Sequence, residues 1–311
     1  KYLISALLLF SVNGFGQALV PQLGGSGYVG PGLLASPISD YQLGDNWGKE
    51  EVTQSILQLS ESIERAALAT ARIGGATGFV LGEFDGDVVV ATNHHVCPSG
   101  LYWSCGSVTF PMLNIRARRK AFLGTWKELD LTLMSLNISG SDRKKLLQVA
   151  RNFDFSKTLI QGLPLVTSGF GVAGNPNRKM MINFDEDCRV ISANEEFRLM
   201  GDPDSKNPGP DKVWSFANAC DVSHGDSGSA MVDETTGSPV GLIWTGRIPK
   251  SPQAQNSQNI LNWETNQADE VWEELSYAVP AKKIQEVLRE KLQSGKISGK
   301  TASIIEDLIT L

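Results

Sequence analysis

The chain has 311 residues, of which 41% are hydrophobic and 20% charged. That is the balance of an ordinary globular protein and excludes a mostly disordered chain. Lys and Arg number 28 against 34 Asp and Glu, a net charge of −6; without a basic block, nucleic acid is not an expected partner. There are only three histidines, His94, His95 and His224, and four cysteines, Cys97, Cys105, Cys188 and Cys220, so few groups can serve as a catalytic base or a metal ligand.

The first residues read as an export signal. Lys1 precedes a short apolar run from Tyr2 to Val12, and small residues follow. Such a run is too short to cross a bilayer as a helix. Spacing of small residues predicts cleavage after Gly16 or Ala18, leaving residues 1–18 as a signal peptide. The expected destination is secreted or periplasmic, where disulfides form. No later run is long and apolar enough to suggest stable membrane insertion. Residues 19–50 are rich in Gly, Pro and Ser and read as a flexible segment.

From Val52 the pattern becomes helical. Val52, Ile56, Leu59, Ile63 and Ala66 recur at steps of three and four, which predicts one amphipathic helix over 51–73. After Gly74-Gly75 the chain turns β-like. Thr77–Phe84 and Asp87–Thr92 flank Asp85-Gly86, a hairpin signal. Val88, Val89 and Val90 suit a strand buried on both faces. Further strand-like runs are Ser107–Leu113, Leu131–Leu136, Thr158–Ile160, Leu165–Gly169, Met180–Phe184, Cys188–Ile191, Ala230–Val232 and Val240–Trp244. Many short strands with few helices predict an all-β barrel or sandwich. Helical spacing returns at the end, with Pro280 suited to a first helical position and Ile284, Val287, Leu288 and Leu292 on one face. A last helix is expected from about Thr301 to Leu311, in a tail over 294–311.

The stretch Ser223-His224-Gly225-Asp226-Ser227-Gly228-Ser229 is the most specific in the chain. A serine hydroxyl needs a base to take its proton and donors to receive an oxyanion. Glycines beside Ser227 allow a sharp turn that aims the N–H groups of Gly225 and Ser227 into one space. Residue order then restricts the chemistry. An α/β-hydrolase, or a lipase with a Gly-Asp-Ser-Leu block, takes its histidine after the serine, and no histidine follows Ser229. A subtilisin order could use Asp85 or Asp87, but that fold alternates strands and helices, and this chain does not. The order left is histidine in Thr92-Asn93-His94-His95-Val96, aspartate in Glu128-Leu129-Asp130-Leu131, and then Ser227. Asp130 has apolar neighbours on both sides, and a buried carboxylate needs a fixed partner such as an imidazole N–H.

These motifs resemble those of chymotrypsin-fold (trypsin-like) serine proteases, in the bacterial HtrA-like and glutamyl-endopeptidase-like branch. The resemblance is carried by Thr77-Gly78-Phe79-Val80-Leu81, Thr92-Asn93-His94-His95-Val96, Asp130-Leu131-Thr132-Leu133, Gly225-Asp226-Ser227-Gly228-Ser229, Val240-Gly241-Leu242-Ile243-Trp244 and Tyr277-Ala278-Val279-Pro280. It implies two antiparallel six-stranded β-barrels over 74–293, with the site between them. It implies a triad of His95, Asp130 and Ser227, with the N–H groups of Gly225 and Ser227 as oxyanion hole, acting on polypeptide substrates without metal or cofactor. Asp221, six residues before Ser227, would form the base of a pocket for Arg or Lys. His224, Trp244 and Gly246 would border that pocket.

The resemblance also implies the disulfides Cys97–Cys105 and Cys188–Cys220. A zinc site would need a tighter Cys/His cluster. Arg72-Ile73-Gly74-Gly75 resembles a zymogen activation junction, in which a freed amine at Ile73 would pair with Asp226. However, His95 follows Ile73 too closely for that pattern, and a helix ending at a Gly pair is the plainer expectation. The competing functional expectation is a catalytically silent relative acting as a binding or scaffold protein.

Overall fold

The computed structural model describes residues 37–101, 103–202, 211–246, 251–266 and 271–310. The predicted signal peptide and most of the Gly/Pro-rich segment lie outside them. The first elements are β1 (Lys49–Glu51), α1 (Gln54–Leu57), α2 (Glu61–Ala69) and β2 (Thr70–Ile73). The single helix expected over 51–73 is therefore divided. Thr53 caps α1 by accepting the Ile56 N–H, and Ser60 caps α2 by accepting that of Ile63; hydroxyl acceptors at these two places start helices rather than continue one. Leu59, between the two, is exposed. Thr70–Ile73 leaves the helix because it is needed as the strand that closes a barrel.

That barrel also contains β3 (Ala76–Phe84), β4 (Asp87–Thr92), β5 (Ser107–Phe110), β6 (Ile115–Trp126) and β7 (Leu131–Asn137). All neighbours are antiparallel, and the closed order is β2-β3-β4-β7-β6-β5. Asp85 and Gly86 both have positive φ, +46° and +76°, the backbone that a two-residue hairpin of this twist requires. The valine run of β4 is buried on both faces because it serves two cores. Val88 and Val90 fill the cluster with Ala71, Val80 and Val108. Val89 and Ala91 face the larger core with Phe79, Leu81 and Leu133. Pro111 starts a 3-10 turn that ends β5 before the expected Leu113. β6 went unpredicted because Arg116, Arg118 and Lys120 alternate with Ile115 and Ala117 along an outward polar face.

After α3 (Gly140–Val149) come β8 (Leu165–Gly169), β9 (Met181–Asn183), β10 (Arg198–Met200), β11 (Val213–Asn218), β12 (Ala230–Asp233) and β13 (Pro239–Thr245). Then follow α4 (Ser257–Asn266), α5 (Val271–Glu274), β14 (Ser276–Pro280), α6 (Ala281–Gln293) and α7 (Gly299–Thr310). The second sheet has eight strands in the order β1-β9-β8-β12-β13-β14-β11-β10. It exceeds the expected six because β1 is added at one edge and β10 at the other. Thr158–Ile160 forms no strand, and Cys188–Ile191 makes only isolated bridges, Pro164 with Arg189 and Val190 with Asn218.

The C-terminal helix is part of the main core rather than an appended tail. Ile304, Ile305, Leu308 and Ile309 are buried in the cluster that holds Phe79 and Leu81 of β3. Each such side chain contributes about 1.5–3 kcal/mol on burial. The Leu308 carbonyl accepts from Asn152 Nδ2, and that of Ile309 from Gln285 Nε2. Among the described residues, no helix is long and apolar enough to cross a membrane.

Candidate active site

Strand register brings His95 and Asp130 together. β4 pairs with β7 so that Thr92 lies opposite Thr132, and the residues just after β4 therefore meet those just before β7. Asp130 ends a single 3-10 turn in the left-handed region, φ +40°, a conformation that Asp tolerates better than most side chains. Its carbonyl accepts from His94 N and Asn93 Nδ2, both at 2.9 Å. Its carboxylate takes the His95 backbone N–H on Oδ1 at 2.9 Å and meets His95 Nδ1 with Oδ2 at 2.6 Å. An ionised carboxylate only accepts, so in the neutral imidazole the proton sits on Nδ1 and Nε2 keeps its lone pair. Nε2 is buried and has no hydrogen-bond partner among the described residues.

Electrostatics separate the two adjacent histidines. Burial alone would lower the His95 pKa, but the charge and hydrogen bond of Asp130, with the charge of Asp202, raise it above its ordinary value. His94 is lowered, chiefly by burial, and its Nδ1 lies 2.7 Å from Thr125 Oγ1. Of the two, only His95 is paired with a carboxylate among the described residues.

The loop 223–228 is clamped against the first barrel. Thr77 N donates to the Ser227 carbonyl at 3.0 Å, Thr77 Oγ1 to that of Gly225 at 2.7 Å, and Thr92 Oγ1 to the Thr77 carbonyl at 2.7 Å. Thr77 and Thr92 thus tie the serine loop to β4, the strand that leads into His95. Gly225 and Gly228 have φ of +99° and +89°. A Cβ at Gly225 would come within 2.5 Å of the Phe170 carbonyl, and one at Gly228 within 2.1 Å of that of Thr77. Any larger residue would force the loop open. Among the described residues, the N–H groups of Gly225 and Ser227 donate to no protein acceptor.

Asp226 is the structural centre of this loop. Its Oδ1 accepts from Gly171 N at 3.0 Å, and its Oδ2 from Ser223 N at 2.9 Å and Ser223 Oγ at 3.2 Å. Oδ2 also pairs with the buried ammonium of Lys49, a residue that sequence reasoning missed. The activation reading of Arg72-Ile73 is corrected here. Ile73 is buried in β2, paired with Ala76 and Val108, and Lys49 holds the place at Asp226 that its amine would take.

The four expected specificity residues divide. Asp221 is not open to a substrate side chain. It is 1% exposed, and its two oxygens accept the N–H groups of Leu43 and Gly48, each at 2.7 Å. Burial pushes its carboxyl up to about 8, against those two donors, which pull it down. Trp244 is buried, donates from Nε1 to Ser215 Oγ at 2.9 Å and stacks on Tyr277, so it is structural. Gly246 lies beside Ser276 and Val222, 3.1 Å or more from where its Cβ would be. His224 meets the edge of Tyr41, with ring centroids 6.2 Å apart. Burial is the main cause lowering its pKa, and His95 and Asp202 both act on it electrostatically. Asp202, which accepts from Thr245 Oγ1 at 3.3 Å, therefore lies near both imidazoles. Nothing local in the sequence marks it.

Both expected disulfides are present. Cys97–Cys105 closes the loop after His95, and Cys188–Cys220 ties the segment before Asp221. Beside the 41–48 segment is a cavity of about 660 Å³ lined by Asp45, Asp185, Asp187 and Ser257. Burial and the Asp187 charge push Asp185 up to about 6. Among the described residues, no group of three or more His, Cys, Asp or Glu could hold a metal ion.

No family model and no curated protein matches the sequence. The fold is similar to solved structures of the Rv3671c protease. The inactive form is 16% identical, with a TM-score of 0.48, over 80% of this chain and 98% of that one. The active form, from M. tuberculosis, is 14% identical with a TM-score of 0.47, over 84% of this chain and 93% of that one.

Proposed function

We propose that the chain is an exported serine endopeptidase that cleaves peptide bonds through an acyl-enzyme. The observation that carries this reading is the 2.6 Å contact of His95 Nδ1 with Asp130, which leaves Nε2 as the acceptor. The serine loop, tied to the same strands through Thr77 and Thr92, supplies the nucleophile.

In this mechanism His95 Nε2 takes the Ser227 proton as Oγ attacks the scissile carbonyl. Asp130 orients the ring and stabilises the imidazolium. The N–H groups of Gly225 and Ser227 hold the oxyanion, each worth about 3 kcal/mol of barrier. His95 then passes its proton to the leaving amine, and water repeats the sequence on the acyl-enzyme. No step calls for a metal or a cofactor. The substrates are polypeptides. An Arg or Lys preference drawn from Asp221 is not carried forward, because the 41–48 segment already occupies that carboxylate.

The two disulfides support an oxidising destination, secreted or periplasmic. A silent binding protein would have no need to pair His95 with a buried carboxylate or to leave the Gly225 and Ser227 N–H groups without an acceptor among the described residues. The test is peptide hydrolysis by Ser227→Ala, His95→Ala and His94→Ala. The first two should lose activity and the third should keep most of it. Full activity in either of the first two overturns the proposal.

A further inference from the structure

We propose that Lys49 is a positioning residue for the oxyanion hole. Its ammonium, locked on Asp226, holds the 223–228 loop with the Gly225 and Ser227 N–H groups turned inward. The inference rests on the protease reading above.

Asp226 sits between the two donors in sequence: its link to Ser227 carries the Ser227 N–H, and its own N–H donates to the Ser223 carbonyl, so holding its side chain restrains the turn that presents both donors. Its carboxylate gathers donors from three places: Gly171 after β8, Ser223 within the loop, and Lys49 on β1. Lys49 is the only one of the three that brings a full charge, and the two side chains are only 2% and 3% exposed. A buried ion pair adds little net stability, but loss of one partner strands a charge and forces its surroundings to move. Close packing reinforces the point. A Cβ at Gly171 would fall 2.3 Å from Asp226 Oδ2, so the carboxylate occupies space reserved for it.

Lys49 is itself fixed from outside the barrel. β1 pairs with β9, with Lys49 opposite Asn183. The preceding strap is pinned by the Leu43 and Gly48 N–H groups on Asp221. A Cβ at Gly48 would lie 2.2 Å from Asp185 Oδ2 and 2.4 Å from Asn183 Nδ2, so the strap runs flush against β9. Residues 41–51 thus deliver one ammonium to a loop 177 positions further along the chain. This arrangement needs no cleavage at Ile73. Detaching the strap would withdraw the charge and let the oxyanion donors turn away.

The experiment uses the full chain with Lys49→Met, which keeps length and apolar stem, and Asp226→Asn, which keeps an acceptor but no charge. Reactive serine is titrated with a fluorophosphonate. Then kcat, KM and inhibition by a peptide boronate are measured per titrated site. Each variant should show kcat lowered about 100-fold, the scale of a lost oxyanion donor, with KM nearly unchanged. Boronate affinity should fall in step, because that adduct uses the same donors. A role in folding alone would reduce the number of titrated sites and leave kcat per site intact, and that result overturns the inference. If Lys49→Met does not fold, the double variant with Asp226→Asn removes both buried charges; it should fold and remain slow, and wild-type turnover there is equally fatal. A wild-type chain that neither labels nor cleaves peptides removes the protease reading and this inference together. Labelling in the wild type beside an equal kcat in Lys49→Met removes this inference alone.

Discussion

Asp130→Asn isolates the electrostatic heart of the site. Asparagine also tolerates the left-handed backbone at this position, φ +40°, and it keeps an acceptor for the His95 N–H now bound to Oδ1. What changes is the contact with Nδ1. An amide N–H facing Nδ1 forces that nitrogen to accept, moves the ring proton to Nε2, and leaves no lone pair for the serine proton. The imidazolium also loses its counter-charge. Two unit charges about 4 Å apart at an effective dielectric of about 20 attract by about 4 kcal/mol, which is about a thousandfold in rate. With the tautomer added, kcat/KM should fall about 10³–10⁴-fold. The pH profile should move as well. His95 must be neutral to act as base, so activity rises with pH through its pKa, which Asp130 holds above the ordinary histidine value. In the variant, burial dominates and the acidic limb should shift to lower pH. Steady-state kinetics between pH 5 and 9 on a peptide substrate measure both effects. Activity within tenfold of wild type, with an unmoved acidic limb, would refute the reasoning.

A panel of chromogenic peptides should show no dominant preference for Arg or Lys, and Asp221→Ser should lower the melting temperature, because Leu43 and Gly48 lose their acceptor. Strong Arg or Lys selectivity that disappears in Asp221→Ser would show that the carboxylate reaches substrate. Replacing Cys188 and Cys220 by Ala opens a loop spanning 32 positions, and chain entropy alone should cost about 3–4 kcal/mol in urea unfolding; a loss below about 1 kcal/mol contradicts this. Asp185, raised to about 6, keeps its proton in the folded state after the unfolded chain has lost it. Its contribution is thus fully present below about pH 4 and is lost as pH rises through 6. Melting curves of Asp185→Asn should lack that part of the decline, and identical curves for wild type and variant would remove the assignment.

The residues that were legible in the sequence are those whose neighbours in space are set by local pattern. The β4 valines advertised burial on both sides, and Asp85-Gly86 advertised its turn. Asp130 between leucines needed a partner, and β4–β7 pairing brings His95 to it. The divided segment 51–73 was less readable, because helical spacing continued across the capping residues Thr53 and Ser60 while barrel closure claimed Thr70–Ile73 as a strand. β6 concealed itself behind a charged outer face. Lys49 and Asp226 are too far apart in sequence for any local rule to pair them. The same is true of Asp221 and the strap amides, which is why an apparent specificity acid turns out to be an anchor. Trp244, which the resemblance places at the border of the pocket, is instead held by Ser215 through its N–H.

The central claim is that His95 makes the Ser227 hydroxyl a nucleophile, and fluorophosphonate labelling with mass mapping of the modified peptide tests it most directly. The account predicts one labelled residue, Ser227, with the label lost in Ser227→Ala and strongly slowed in His95→Ala. An unlabelled protein, or a label carried on another serine, would contradict it.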